Sequence, residues 1–401
     1  MSDGAAAPTE RLYYRDAYRT EFHAGVIDRS DGDRRVYLDS TAFYPTSGGQ
    51  PNDLGTLAGI QVADVIDEGD RIAHVLTSAL TTDAPVDGTI DWKRRFDHMQ
   101  QHTGQHLLSA VFEDLFGART VSVHFGDAHS TLDLETESLS ADKLARAERR
   151  ANEVIAENRA VTVSFGDSGA TTGLRKAVDR EGPLRIVSID GLDRSACGGT
   201  HVRATGEIGC ALLRGTERIR KTTRVQFLCG LRAVDRSRAD YAALAGIASA
   251  LSASIDDVPA LVAAQTTQLK DGDQARRRLE RDLAGHRARS MFEQLAGGTG
   301  ETRVAFQSGA AQTMDQLRTL GQAALEIERV ILVATTVEGN ELLVAATEDS
   351  GADAGRLIRE SLGAVGGKGG GSPRLAQGTA PTAELTAKAL EIIRAALTRD
   401  R

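Results

Sequence analysis

"RRFDHMQQHTGQHLLSAVFEDLFG" runs from Arg94 to Gly117 and sets His98, His102 and His106 at intervals of four residues. Leu107, Leu108, Val111, Phe112 and Leu115 follow at helical spacing, and Gly117 is a stop signal. The pattern predicts a helix that starts near Phe96 and ends at Gly117. Residues four apart share one helix face, roughly 6 Å from each other, so two imidazoles there can hold one metal ion. The pair flanking Thr103, Gly104 and Gln105 lies directly before the apolar stripe, so His102 and His106 are the better ligands. His98 falls one turn earlier, where solvent is expected.

Such a pair is half a site. The second half is "SACGGTHV" (Ser195–Val202), in which Cys197 and His201 are also four apart. Gly198 and Gly199 make a turn there that can aim a thiolate and an imidazole at one point. Three imidazoles and a thiolate form a borderline-soft set that suits Zn²⁺, whereas Mg²⁺ and Ca²⁺ choose oxygen. Four protein ligands leave no open position, which favours an organising role for the metal over activation of water. Either pair alone reads as a histidine-rich surface. The two together read as a centre.

Around this core the elements are mixed. Residues 8–92 are β-rich, with short apolar runs split by Gly, Asp and Pro, and suggest a small barrel. "SLSADKLARAERRANEVIAENR" is an amphipathic helix capped by Ser140. "GCALLRGTERIRKTTRVQFLCG" reads as two strands about a basic turn. The expected fold class is α+β. It divides into a β-barrel domain (1–93), a zinc-containing core (94–234), a helical, coiled-coil-like linker (235–300) that ends in "GGTG", and a C-terminal α/β domain (301–401).

The totals exclude several classes. No run of eighteen apolar residues occurs and the N-terminus lacks a signal-peptide pattern, so no membrane partner is expected. Three cysteines in 401 residues are no disulfide framework, which points to a reducing, cytoplasmic setting. The net charge of −8 does not suggest a general nucleic-acid binder. Phosphate contacts would need local patches. Candidates are Arg218, Arg220, Lys221 and Arg224 in "RIRKTTR", and Lys93, Arg94 and Arg95 beside the histidine helix. The arginines between 276 and 281 read as a solvated helix surface.

"HTGQH" followed about ninety residues later by "CGGTH" resembles the editing domain of alanyl-tRNA synthetases and the free-standing AlaX editing proteins. "FYPTSGGQPNDLG" (Phe43–Gly55) is similar to that family's glycine-rich segment. "GGKGGGSPRLAQG" (Gly366–Gly378) resembles the C-terminal domain that those synthetases share with DHH-type phosphoesterases. The four matches come in the family's order and span nearly the whole chain, most like the long free-standing form. The resemblance implies a trans-editing hydrolase that deacylates Ser-tRNA(Ala), with Gly-tRNA(Ala) a second candidate. About forty residues precede the glycine-rich segment, too few for an aminoacylation domain.

By the same resemblance His102, His106, Cys197 and His201 hold zinc, and Gly48 and Gly49 belong to the pocket. Thr103 and Gln105 should face the site, and His124 should approach the substrate. Lys368 and the backbone of its glycine run are expected to meet tRNA. A homodimer through the linker and C-terminal domain fits as well. Alanine is smaller than serine, so size alone cannot exclude it, and selection needs a hydrogen bond to the serine hydroxyl. Thr46, Ser47, Thr103 and Gln105 are the candidates. The rival readings are a non-catalytic zinc-containing RNA-binding protein and a small-molecule zinc hydrolase.

Overall fold

Asp91 starts the histidine helix. Its carboxylate accepts the Arg94 N–H at 3.2 Å, and Gly117 ends the helix in the left-handed conformation at φ 65°. This helix, α1 (Trp92–Phe116), begins a turn earlier than Phe96 because of that cap. The computed structural model describes residues 7–166, 173–176, 184–295 and 301–399. The chain divides into two units, residues 1–246 and 247–401.

In the first unit a seven-stranded antiparallel sheet forms a nearly closed barrel. Its order is Glu21–Ala24, Val86–Ile90, Gly55–Leu57, Ile60–Asp67, Ile72–Leu76, Arg35–Leu38, Val26–Ser30. The outermost strands are consecutive in the chain, with only Gly25 between them. Leu38, Phe43, Leu57, Val65 and Ile72 fill the interior without solvent exposure.

α1 is buried without a break from His98 to Phe112. Leu107, Leu108, Val111 and Phe112 enter a core with Ala147, Ala151 and Val154 of α2 (Ala141–Ala156), which Ser140 caps as expected. Two antiparallel sheets complete that core. One has the order Thr120–Phe125, Ser130–Leu134, Thr222–Cys229, Ala211–Ile219. The other has the order Val161–Gly166, Leu184–Ile189, Asp193–Ala196.

The burial of α1 overturns two expectations. Arg95 is fully buried and pairs with the equally buried Asp53, its Nε donating to Oδ1 at 2.9 Å. Its charge is therefore neutralised and cannot meet a phosphate. His98 is 4% exposed, not solvated, because the helix is enclosed around its whole circumference. Burial, aided by Arg94 and Arg232, pushes its imidazole down to about 3.

α3 (Gly230–Ala250) leaves the last strand of the first sheet and runs across the boundary between the units. In the second unit α4 (Val258–Glu293) is one continuous helix through Gly272 and Gly285. The sheet order is Arg303–Ala311, Val330–Thr336, Glu341–Ala346, Leu375–Thr379, Lys368–Gly371. The first pair is parallel, joined by α5 (Met314–Ala324), and the others are antiparallel. α4 and α5 pack on one face, α6 (Ala354–Ala364) and α7 (Ala383–Arg399) on the other.

Within the glycine run at 366–371, Lys368–Gly371 is the edge strand of a hairpin, and Lys368 is exposed. Its glycines answer to packing: a Cβ on Gly369 would stand 2.6 Å from Ile358 Cγ2 of α6. The "GGTG" segment lies outside the described residues. Among the described residues no helix is long and apolar enough to cross a membrane.

Candidate metal centre and substrate cleft

α1 presents His102 and His106 one turn apart, and the loop after Asp193–Ala196 brings Cys197 and His201 to them. One ligand atom from each of the four lies within 4.8 Å of the others. Cys197 Sγ is 3.4 Å from His102 Nε2 and 3.3 Å from His201 Nε2. These edges match a tetrahedral N₃S site with bonds of about 2.0–2.3 Å.

The other nitrogen of each ring is engaged elsewhere. His102 Nδ1 meets Gln50 Oε1 at 2.7 Å, His106 Nδ1 meets Asp193 Oδ2 at 2.8 Å, and His201 Nδ1 meets Thr103 Oγ1 at 3.1 Å. With acceptors at Nδ1, each ring carries its proton there and turns the Nε2 lone pair inward, as metal-ligating histidines do. Gln50 is itself fixed, donating to Thr200 Oγ1 at 2.8 Å and accepting the Thr200 N–H at 3.2 Å. The described residues therefore fit a metal ion.

Electrostatics favour the ligating forms of Cys197 and His201. Burial alone would raise the Cys197 thiol, but His102 and His201 hold it well below its ordinary value. Burial pushes His201 down to about 3. Burial opposes charge on His106, yet the Asp193 carboxylate prevails and raises it to about 9. Burial also works against ionised Asp193, and His106 and Arg175 hold it down to about 2. Arg185 lies under the Cys197 loop, donating to the carbonyls of Cys197 at 2.7 Å and Gly199 at 2.9 Å.

A cleft of about 540 Å³ opens beside His106. It is lined by Gly48, Gly49, Gln105, Thr120, Val121, Ser122, Val123, Arg175, Lys176, Ser195 and Ala196. Gly48 and Gly49 occupy a tight turn at φ 56° and 85°, closed by reciprocal backbone bonds between Ser47 and Gln50. Between Thr120 and Ser122 the pairing with Ser130–Leu134 shifts register, leaving Val121 as an extra residue, 54% exposed, in the cleft.

The other anticipated residues fall in different places. Thr103 is fully buried, and its hydroxyl, which also accepts the Val202 N–H at 3.2 Å, faces His201 and not the cleft. Gln105 does line the cleft; its amide donates to Ser109 Oγ at 2.9 Å. Thr46 accepts the Asn52 N–H at 3.1 Å, ordinary turn chemistry. Ser47 and His124 are exposed and stand outside the lining. Arg224 is paired with Asp133 at 2.7 and 2.9 Å, while Arg218, Arg220, Lys221 and Lys93 are exposed and Arg94 donates to Asn52 O.

Sequence reasoning missed Gln50, Asp193, Arg175 and Arg185. Gln50 closes the quoted "SGGQ", where only the glycines drew notice. Asp193 stands four residues before Cys197, and a carboxylate supporting a ligand histidine is a common arrangement.

The profile of the Threonyl and Alanyl tRNA synthetase second additional domain matches residues 184–224, and that of the DHHA1 domain residues 301–399. The chain is 33% identical to the mouse alanyl-tRNA editing protein Aarsd1 over 72% of this chain and 75% of that one. It is 29% identical to the Pyrococcus horikoshii alanyl-tRNA editing protein AlaX-L over 97% of this chain and 99% of that one. It is 31% identical to the alanine–tRNA ligase of Methanoregula boonei over 97% of this chain but only 43% of the ligase. With its paired ligand motifs brought together beside one cleft, the chain belongs to the alanyl-tRNA editing protein family.

Proposed function

We propose that this chain is a trans-editing hydrolase that deacylates Ser-tRNA(Ala), with Gly-tRNA(Ala) as a second substrate. The observation that carries this reading is the convergence of His102, His106, Cys197 and His201 beside the cleft floored by Gly48 and Gly49. The three imidazoles and one thiolate fit Zn²⁺, which when bound would organise the site, its four protein ligands leaving no open position. Thr103, Gln50 and Asp193 hold the three rings in ligand orientation. The Gln105 amide nitrogen is engaged with Ser109, so its oxygen is left to accept the hydroxyl of a seryl group. Alanine lacks that hydroxyl, and a site built around such a bond discriminates where size cannot.

Contacts to tRNA fall to Lys93, Arg94, Arg218, Arg220, Lys221 and Lys368. The division into barrel (1–93), metal-bearing core (94–234), helical segment (235–300) and C-terminal domain (301–401) is part of the proposal, as is a cytoplasmic setting that keeps Cys197 reduced. So is a homodimer through the last two parts, for which Leu269, Leu279 and Leu283, each more than half exposed on α4, supply apolar surface.

The test is deacylation of Ser-, Gly- and Ala-tRNA(Ala) by the purified protein and by Cys197→Ala. Rapid loss of serine with alanine spared, abolished in the variant, is expected. Hydrolysis of none of the three would overturn the reading, and full activity in Cys197→Ala would overturn the metal assignment.

A further inference from the structure

The chain carries a net charge of −8, yet its cleft does not share that balance. Among the described residues twelve line it, of which Arg175 and Lys176 are cationic and none is acidic. Arg175 is 17% exposed in its side chain and held in place: Nε donates to Asp193 Oδ1 at 2.7 Å and Nη2 to Ser195 Oγ at 3.1 Å. Its Nη1 has no protein acceptor, and Lys176 has no carboxylate partner, among the described residues. Asp193 in turn holds His106 at 2.8 Å, so the guanidinium lies one carboxylate away from a ligand imidazole.

An aminoacylated nucleotide has matching geometry: a ribose separates the ester from the phosphodiester on its 5′ side. From this we infer that Arg175 and Lys176 form a phosphodiester subsite, gripping the backbone of the terminal nucleotide while its ester lies at His106. The bulged Val121 supplies an apolar wall for the nucleoside between them. Arg175 suits the task because its planar fork can hold Asp193 and a phosphate oxygen together, and Lys176 adds a point charge. A cleft of this volume accommodates a nucleoside.

The inference rests on the deacylase reading for its substrate, but its test uses binding and not hydrolysis, so each can fail separately. The dinucleoside monophosphate CpA, adenosine and inorganic phosphate are titrated by ligand-observed NMR into the metal-loaded protein. Wild type should prefer CpA over adenosine about tenfold, the effect of one net charged hydrogen bond. Lys176→Ala should lose most of that preference, and Arg175→Gln/Lys176→Ala all of it. Because Arg175 also supports Asp193, metal content and circular dichroism of the double variant are measured in parallel. If the double variant loses metal, Lys176→Ala, which breaks no ion pair among the described residues, decides the outcome by itself. Equal binding of CpA and adenosine to wild type would overturn the subsite. So would a preference undiminished in Lys176→Ala, or inorganic phosphate binding as tightly as CpA.

Discussion

At the residue scale, each imidazole of the candidate metal centre is held by a support remote from it in sequence. Gln50 meets His102 across 52 positions of sequence and Thr103 meets His201 across 98, and no local pattern encodes such contacts. Thr103 shows the limit plainly: lying between two ligands, it turns its hydroxyl to a third. Gln50→Ala should therefore lower metal affinity by about 10- to 100-fold, as for other supports of ligand histidines, with chelator competition as the measurement. Gly199→Ala should be harsher, since its Cβ would stand 2.1 Å from His102 Cε1; near-complete loss of bound metal in a folded protein is expected by elemental analysis. Gln105→Ala should retain metal but lose about tenfold or more in deacylation of Ser-tRNA(Ala), the cost of one missing hydrogen bond to substrate.

At the element scale, periodicity located α1 and its stop but understated its burial. The stripe Leu107–Leu115 describes one face, while the barrel and two sheets enclose the rest. Partners distant in sequence decided that, and His98 and Arg95 went inside with it. In the glycine hairpin, too, a partner distant in sequence sets the need for a small residue, because Gly369 lies against Ile358 of α6. Gly369→Ala should cost about 1–3 kcal/mol in thermal or denaturant unfolding and leave metal content unchanged.

The barrel strand Ile72–Leu76 carries a different liability. His74 is wholly buried, with Nε2 at 2.8 Å from Thr41 Oγ1 and Nδ1 at 3.1 Å from Val36 O. Burial pushes it down to about 4 from 6.5, so the folded state resists protonation more than the unfolded one. Its contribution is complete above 6.5 and is lost as pH falls through that value towards 4, up to about 3 kcal/mol. Urea unfolding across this window should show a steeper loss of stability in wild type than in His74→Phe.

At the scale of the whole molecule, overall charge said little and local placement said more. Of the anticipated basic turn, Arg224 is tied to Asp133, leaving three cations free of it. Neutralising Arg218, Arg220 and Lys221 together should raise KM for charged tRNA and flatten its salt dependence, with kcat little changed. The centre also draws on three stretches far apart in the chain: the turn at Gln50, the helix at 102–106 and the loop at 193–201. No one of them offers a site alone, and the contacts that join them close long loops, the slowest kind to form. Metal capture in refolding should therefore appear with the final kinetic phase and not before it. In this protein a bound ion would serve as a certificate of maturation, taken up only by a chain whose assembly is already finished.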